Sequence, residues 1–112
     1  ANSNLALIDY VQSFLADRGF QVHHVPDASG QKAGLFAVLG PVGKGVMLSA
    51  HSDVVPTKGQ NWTRDPFRLY VDDGRAYGRG TTDMKGYLAS ILARGFGAYN
   101  WRPASLFCGR AD

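Results

Sequence analysis

Two short stretches of this sequence combine residue types that handle metal ions. His51-Ser52-Asp53 sets an imidazole and a carboxylate two positions apart, and on an extended backbone such residues point to the same face. A neutral histidine binds zinc through one ring nitrogen, while a nearby carboxylate fixes the tautomer and raises the ring's basicity through the other. The same triplet also arises as a loop histidine and a loop aspartate paired for local structure. Asp83 follows thirty residues after Asp53, behind Gly80-Thr81-Thr82. A carboxylate has two oxygens and can bridge two metal ions, and the end of a strand-to-helix loop is a usual place for a site in an α/β fold. An aspartate there equally serves as an N-cap, taking up free backbone N–H groups. One histidine with one or two carboxylates makes an incomplete metal shell.

The elements that must position these residues follow from periodicity. Over residues 5–18, Leu5, Ile8, Val11 and Leu15, widened by Leu7 and Phe14, recur at helical spacing behind the capping-type residues Asn2, Ser3 and Asn4, and Gly19 ends the helix. Strand-like runs cover residues 20–25, 33–39 and 45–50, separated by Asp27-Ala28-Ser29-Gly30 and Gly40-Pro41-Val42-Gly43; the first two read as a hairpin. Val46-Met47-Leu48 is an apolar run without alternation, which predicts a central strand covered on both faces. A long polar stretch, 52–65, precedes a second hairpin, residues 67–71 and 75–77, turned at Asp72-Asp73-Gly74. Met84, Tyr87, Leu88, Ile91 and Leu92 repeat at three and four, so a helix is predicted to start near Thr82 or Asp83. Beyond Arg94, glycines and Pro103 interrupt every period. Residues 94–112 are expected to be poorly ordered.

The 112 residues allow one domain at most, large enough to bury a core without disulfides. The single cysteine, Cys108, has no internal partner, and no charged-then-apolar leader or membrane span is expected, which points to a reducing, cytoplasmic setting. A net charge of +3 comes with twelve Lys and Arg scattered along the chain, a pattern that argues against a nucleic-acid partner. All nine acidic residues are aspartates, so chemistry that needs a glutamate must obtain it elsewhere. His23 and His24 fall on a predicted strand and read as surface or packing residues. Trp62 and Phe67 are expected to anchor the long loop. Arg79 and Lys85 are candidates for holding a substrate carboxylate, although a solvated lysine at a helix start is the simpler account of Lys85.

The run from Leu48 to Pro56, then Gln60-Asn61-Trp62-Thr63-Arg64-Asp65-Pro66-Phe67, then Tyr77-Gly78-Arg79-Gly80-Thr81-Thr82-Asp83-Met84-Lys85-Gly86, resembles the M20 metallopeptidase family. Lys32-Ala33-Gly34-Leu35-Phe36-Ala37 and Leu39-Gly40-Pro41 fit the same likeness, which covers residues 5–93. Within the family the likeness points to the deacetylases of arginine biosynthesis. The resemblance implies an α/β fold: helices packed on a mixed central sheet, residues 1–93 being the N-terminal part of a zinc-peptidase-like catalytic domain and 94–112 a tail foreign to the family. It implies that His51 is a terminal ligand of one metal, that Asp83 bridges two, and that Asp53 is the catalytic-site aspartate orienting His51. It implies two zinc ions per complete site, or cobalt, and a water between them that attacks an amide carbonyl.

The implied reaction is hydrolysis of N-acetyl-L-ornithine, a small-molecule substrate, to ornithine and acetate. Succinyl-diaminopimelate, other N-acyl amino acids and dipeptides are alternatives on the same metal core. So is a non-catalytic fragment that kept the opening motifs. The intact family member is expected to be a homodimer, with no nucleic-acid or membrane partner. The family's proton-accepting glutamate, its remaining acidic and histidine ligands and its inserted lid domain have no counterpart in these 112 residues, so the chain is expected to be inactive alone.

Overall fold

In the computed structural model of the protein, residues 3–94 and the backbone of residues 104–110 are described. The first element is α1, Leu5–Ala16, which buries Ile8, Val11 and Leu15 on one face, as the apolar spacing requires. Gly19, at φ +87°, turns the chain out of the helix, a conformation that costs glycine nothing. Of the capping-type residues, Ser3 takes the Leu5 N–H at 3.3 Å. Asn4 makes no cap hydrogen bond. Its side-chain amide instead pairs both ways with the backbone of Ala33, each bond 2.9 Å, and this ties the start of α1 to the start of the strand it covers.

Strands β1 (Gln21–Pro26) and β2 (Ala33–Leu39) form the expected antiparallel hairpin. Strand β3 (Gly45–His51) follows, then the short hairpin of β4 (Tyr70–Asp72) and β5 (Arg75–Tyr77). Positive φ at both Asp73 and Gly74 is what a two-residue type I′ turn demands. Helix α2 (Lys85–Arg94) comes next, and β6 (Ala104–Arg110) completes a sheet of order β1-β2-β6-β3. β6 runs antiparallel to β2 and parallel to β3, so the sheet is mixed. One apolar cluster joins Ile8, Val11 and Leu15 of α1 to Ala33, Leu35 and Ala37 of β2, Ala50 of β3, and Leu88 and Leu92 of α2. Both helices therefore pack on the same face of the sheet.

Three expectations are corrected. β3 is an outer strand among the described residues, not a central one, and Val46, Met47 and Leu48 are 45%, 59% and 37% exposed. An apolar run states what a strand tolerates on its faces; it does not supply the residues that cover them, and here α2 covers only its far end at Ala50. Residues 104–110 form a strand where the broken periodicity gave none, because β6 is defined by long-range pairing with two strands already in place rather than by a local repeat. The rest of the expected irregular tail, residues 95–103 with 111 and 112, lies outside the described residues. Phe67 precedes β4 and is 75% exposed, so it does not anchor the loop; its N–H is held by the Asp65 carboxylate at 2.9 Å.

Candidate metal centre

His51 is the last residue of β3, and Asp53 lies two residues on, in the loop that leaves the sheet. Asp83 sits two residues before α2. Thirty-two positions separate His51 from Asp83 in the chain, yet the fold brings both aspartates to the one imidazole. Nδ1 of His51 lies 2.8 Å from Asp53 Oδ1, and Nε2 lies 3.2 Å from Asp83 Oδ1. Nδ1 also faces the backbone carbonyl of Asp53 at 3.3 Å.

Nδ1 meets a carboxylate and a carbonyl oxygen and Nε2 meets a carboxylate oxygen, so both ring nitrogens face acceptors. A neutral imidazole carries one N–H, which leaves one nitrogen presenting a lone pair to an acceptor. Two lone pairs facing each other need a positive charge between them, either a proton or a metal cation.

The distances separate the two sides of the ring. At 2.8 Å the Asp53 contact falls in the range of charge-assisted hydrogen bonds, about 2.7–2.9 Å. At 3.2 Å the Asp83 contact is longer, close to the roughly 3.3–3.5 Å that separates two donors on one tetrahedral ion with bonds of about 2.0–2.2 Å. His51 Nε2 and Asp83 thus fit two positions of a metal shell, and Asp53 sits behind the ring where it can orient it. The side chains of His51, Asp53 and Asp83 are 34%, 51% and 69% exposed, open to a ligand from solvent. Among the described residues no three His, Cys, Asp or Glu side chains gather around a single point, so the pair is part of a shell rather than a closed one.

The N-cap alternative for Asp83 is not what the structure holds: the carboxylate contacts His51, and the first N–H groups of α2 bond to backbone oxygens, Gly86 to Gly80 at 3.1 Å and Leu88 to Met84 at 3.0 Å. His23 and His24 are exposed on β1, at the opposite side of the sheet. Two supports escaped the sequence reading. The backbone N–H of His51 donates to Met84 Sδ at 3.4 Å, and Gly86 packs so closely on the Thr81 carbonyl that a Cβ there would lie 2.0 Å from the oxygen. The glycine itself is the only visible sequence signal for the second; no pattern marks the first. Beside Asp83 opens a cavity of about 570 Å³ whose lining includes Trp62, Arg75, Tyr77, Arg79 and Thr82.

Residues 47–94, which hold all three candidate site residues, match peptidase family M20/M25/M40. Over 91 residues, 80% of the chain, the sequence is 42% identical to acetylornithine deacetylase of Shigella sonnei (strain Ss046). The chain belongs to peptidase family M20. A second acetylornithine deacetylase, from Klebsiella pneumoniae (strain 342), is 44% identical over 92 residues, again 80% of this M20 chain. The chain spans about a quarter of these relatives, 24% of each. Human carnosine dipeptidase 1 has a similar structure, with TM-score 0.77 and 26% identity, over 94% of this M20 chain and 25% of its own. The mixed sheet with helices packed on it is therefore part of an M20 catalytic fold. None of the helices described is long and apolar enough to cross a membrane.

Proposed function

We propose that this chain supplies one part of the metal centre of a cytoplasmic hydrolase acting on N-acetyl-L-ornithine, releasing ornithine and acetate in arginine biosynthesis. The observation that carries the reading is the imidazole of His51 held between two carboxylates, Asp53 at one ring nitrogen and Asp83 at the other. The acetylornithine deacetylase names of relatives 42% and 44% identical support the substrate.

His51 and Asp83 would hold the metal, zinc or cobalt and two ions in a complete site, with Asp83 shared between them. Such ions, when bound, polarise a carbonyl and make water nucleophilic at neutral pH. With a metal at Nε2, Asp53 would accept the Nδ1–H of His51 and fix the direction of the ring. None of the described side chains offers a glutamate to take the attacking water's proton, so that base, and the remaining ligands, come from outside these 112 residues. The partner is a small N-acyl amino acid; a second copy of the complete enzyme would make a homodimer.

A dipeptide substrate is the second reading, favoured by the structural likeness to carnosine dipeptidase 1. A chimaera decides between them: residues 5–93 of this chain replace the corresponding segment of the Shigella sonnei relative, and the zinc-loaded product is assayed on N-acetyl-L-ornithine, succinyl-diaminopimelate and carnosine. Acetate release dependent on His51 supports the first reading; carnosine cleavage without acetate release replaces it with the second. The unsupplemented 112-residue chain is expected to turn over none of the three.

A further inference from the structure

Asp83 is 69% exposed and sits on a loop, so its distance from His51 must be set by whatever holds that loop. Inside the loop, Thr81 bonds to the Gly78 carbonyl through its N–H at 3.3 Å and its hydroxyl at 2.8 Å. These bonds shape the turn but tie it to nothing else. The tie is Arg79. Its backbone N–H donates to the Pro66 carbonyl at 2.7 Å, and its side-chain Nη2 donates to Gln60 Oε1. The same Gln60 oxygen accepts the Trp62 indole N–H at 2.9 Å, and the guanidinium lies 5.0 Å from the centre of the Trp62 ring.

Gln60, Trp62 and Pro66 belong to the segment that leaves the sheet through Asp53. One residue, through its backbone and its side chain, thus joins the two loops that carry the site's carboxylates. Its Nη2 is used on Gln60, and its Nε is buried without a hydrogen-bond partner among the described residues. A buried, unpaired donor costs stability, and this geometry leaves that nitrogen out of reach of a substrate in solvent.

Building on the metal reading above, we infer that Arg79 is a positioning residue: by clamping its loop to Gln60 and Trp62 it holds Asp83 at the spacing from His51 that two ligands of one ion require. Lysine cannot replace it, because a compact ammonium cannot donate to Gln60 and also lay a flat, delocalised cation against the Trp62 ring.

The test uses the 112-residue chain, with Co(II) alone as the metal probe. Wild type, Arg79→Met, Arg79→Lys, Gln60→Ala, Gln60→Glu and His51→Ala are titrated by visible absorption, and ¹⁵N relaxation is measured at residues 81–83. Arg79→Met, Arg79→Lys and Gln60→Ala are expected to weaken Co(II) binding by about 10–100-fold, the usual effect of losing a group that orients a ligand. Gln60→Glu, which keeps an acceptor and adds a charge, is expected to retain it. Order parameters at residues 81–83 should fall from about 0.85 toward 0.6 in the weakened variants, with those of α1 unchanged. Gln60 is exposed, so Gln60→Ala remains informative if Arg79→Met fails to fold. Unchanged Co(II) affinity in Gln60→Ala and Arg79→Lys, with unchanged loop order, overturns the proposal. If wild type binds no more Co(II) than His51→Ala, the metal reading is what fails, and the relaxation data alone then decide whether Arg79 holds the loop.

Discussion

The backbone N–H of His51 points at the thioether sulfur of Met84, 3.4 Å away, so the residue after Asp83 is fastened to the backbone of the residue that Asp83 faces. Met84 also packs against the apolar cluster, and its sulfur is a weak, polarisable acceptor. Met84→Leu keeps the volume and removes the acceptor. The expected cost is below about 1.5 kcal/mol in stability, read by urea unfolding, together with weaker Co(II) binding. Unaltered Co(II) affinity would show that the sulfur contact plays no part in placing Asp83.

The three side chains of the cluster have separable effects. His51→Ala and Asp83→Ala each remove a ligand and are expected to abolish the Co(II) spectrum of the chain. Asp53→Asn leaves both ligands but removes the charge behind the ring, and should weaken binding by about 10–100-fold. All three positions are at least a third exposed in side chain, so thermal unfolding should move by no more than about 0.5 kcal/mol. A large loss of stability in any of them would mean that the cluster holds the fold together rather than serving a ligand.

Gly86→Ala tests the seam between the Asp83 loop and α2. The added Cβ would meet the Thr81 carbonyl oxygen at 2.0 Å, a backbone atom that can yield only by moving the loop. Overpacking of this kind costs about 1–3 kcal/mol. Gly74→Ala is the contrast: a Cβ there meets nothing within 4 Å, and only its φ of +70° resists, at about 1–2 kcal/mol. Both should lower the unfolding midpoint, but only Gly86→Ala should shift the NMR signals of His51.

Asp27 provides a pH signature away from the site. The Ser29 hydroxyl hydrogen-bonded to it holds its carboxyl below the ordinary value of 3.8, helped by backbone N–H groups of the turn. A carboxyl depressed in the folded state favours folding while ionised. Its contribution is therefore present above about pH 3.8 and disappears as pH falls through the lower folded value. Ser29→Ala should bring the Asp27 titration, followed by carboxyl ¹³C shift, back toward 3.8 and flatten the acid limb of stability. An Asp27 titration unmoved by that substitution would remove the hydroxyl as its cause.

What the sequence made legible was local. The spacing of Ile8, Val11 and Leu15 is enough for α1 because a helix is decided within a few turns, and Asp73-Gly74 is enough for a hairpin because few residues accept positive φ. His51 and Asp53 were readable as neighbours because strand geometry puts them on one face. Asp83 was readable as their companion through the family resemblance, since nothing local tells an N-cap from a ligand. The position of β3 at the side of the sheet, the strand at 104–110 and the bond from His51 to Met84 all depend on pairing between distant segments, which leaves no period in either partner. Phe67 failed as an anchor for a related reason: aromatic character signals a capacity for burial, not a place to be buried.

The insertion of β6 between β2 and β3 fixes when the sheet can be finished. α1 and the β1-β2 hairpin draw on contacts close in sequence and can form while the chain is still emerging from the ribosome. β3 cannot: Gly45 pairs with Ala104 and His51 with Arg110, so its strand neighbour is synthesised long after it, and a large loop must close before any of those bonds forms. Until then the edge of β3 that β6 will cover is open beside the exposed Val46, Met47 and Leu48, the kind of surface on which nascent chains stick to one another. β6 is the latch that joins β3 to the rest of this sheet, and the half-built metal centre at the end of β3 inherits that delay.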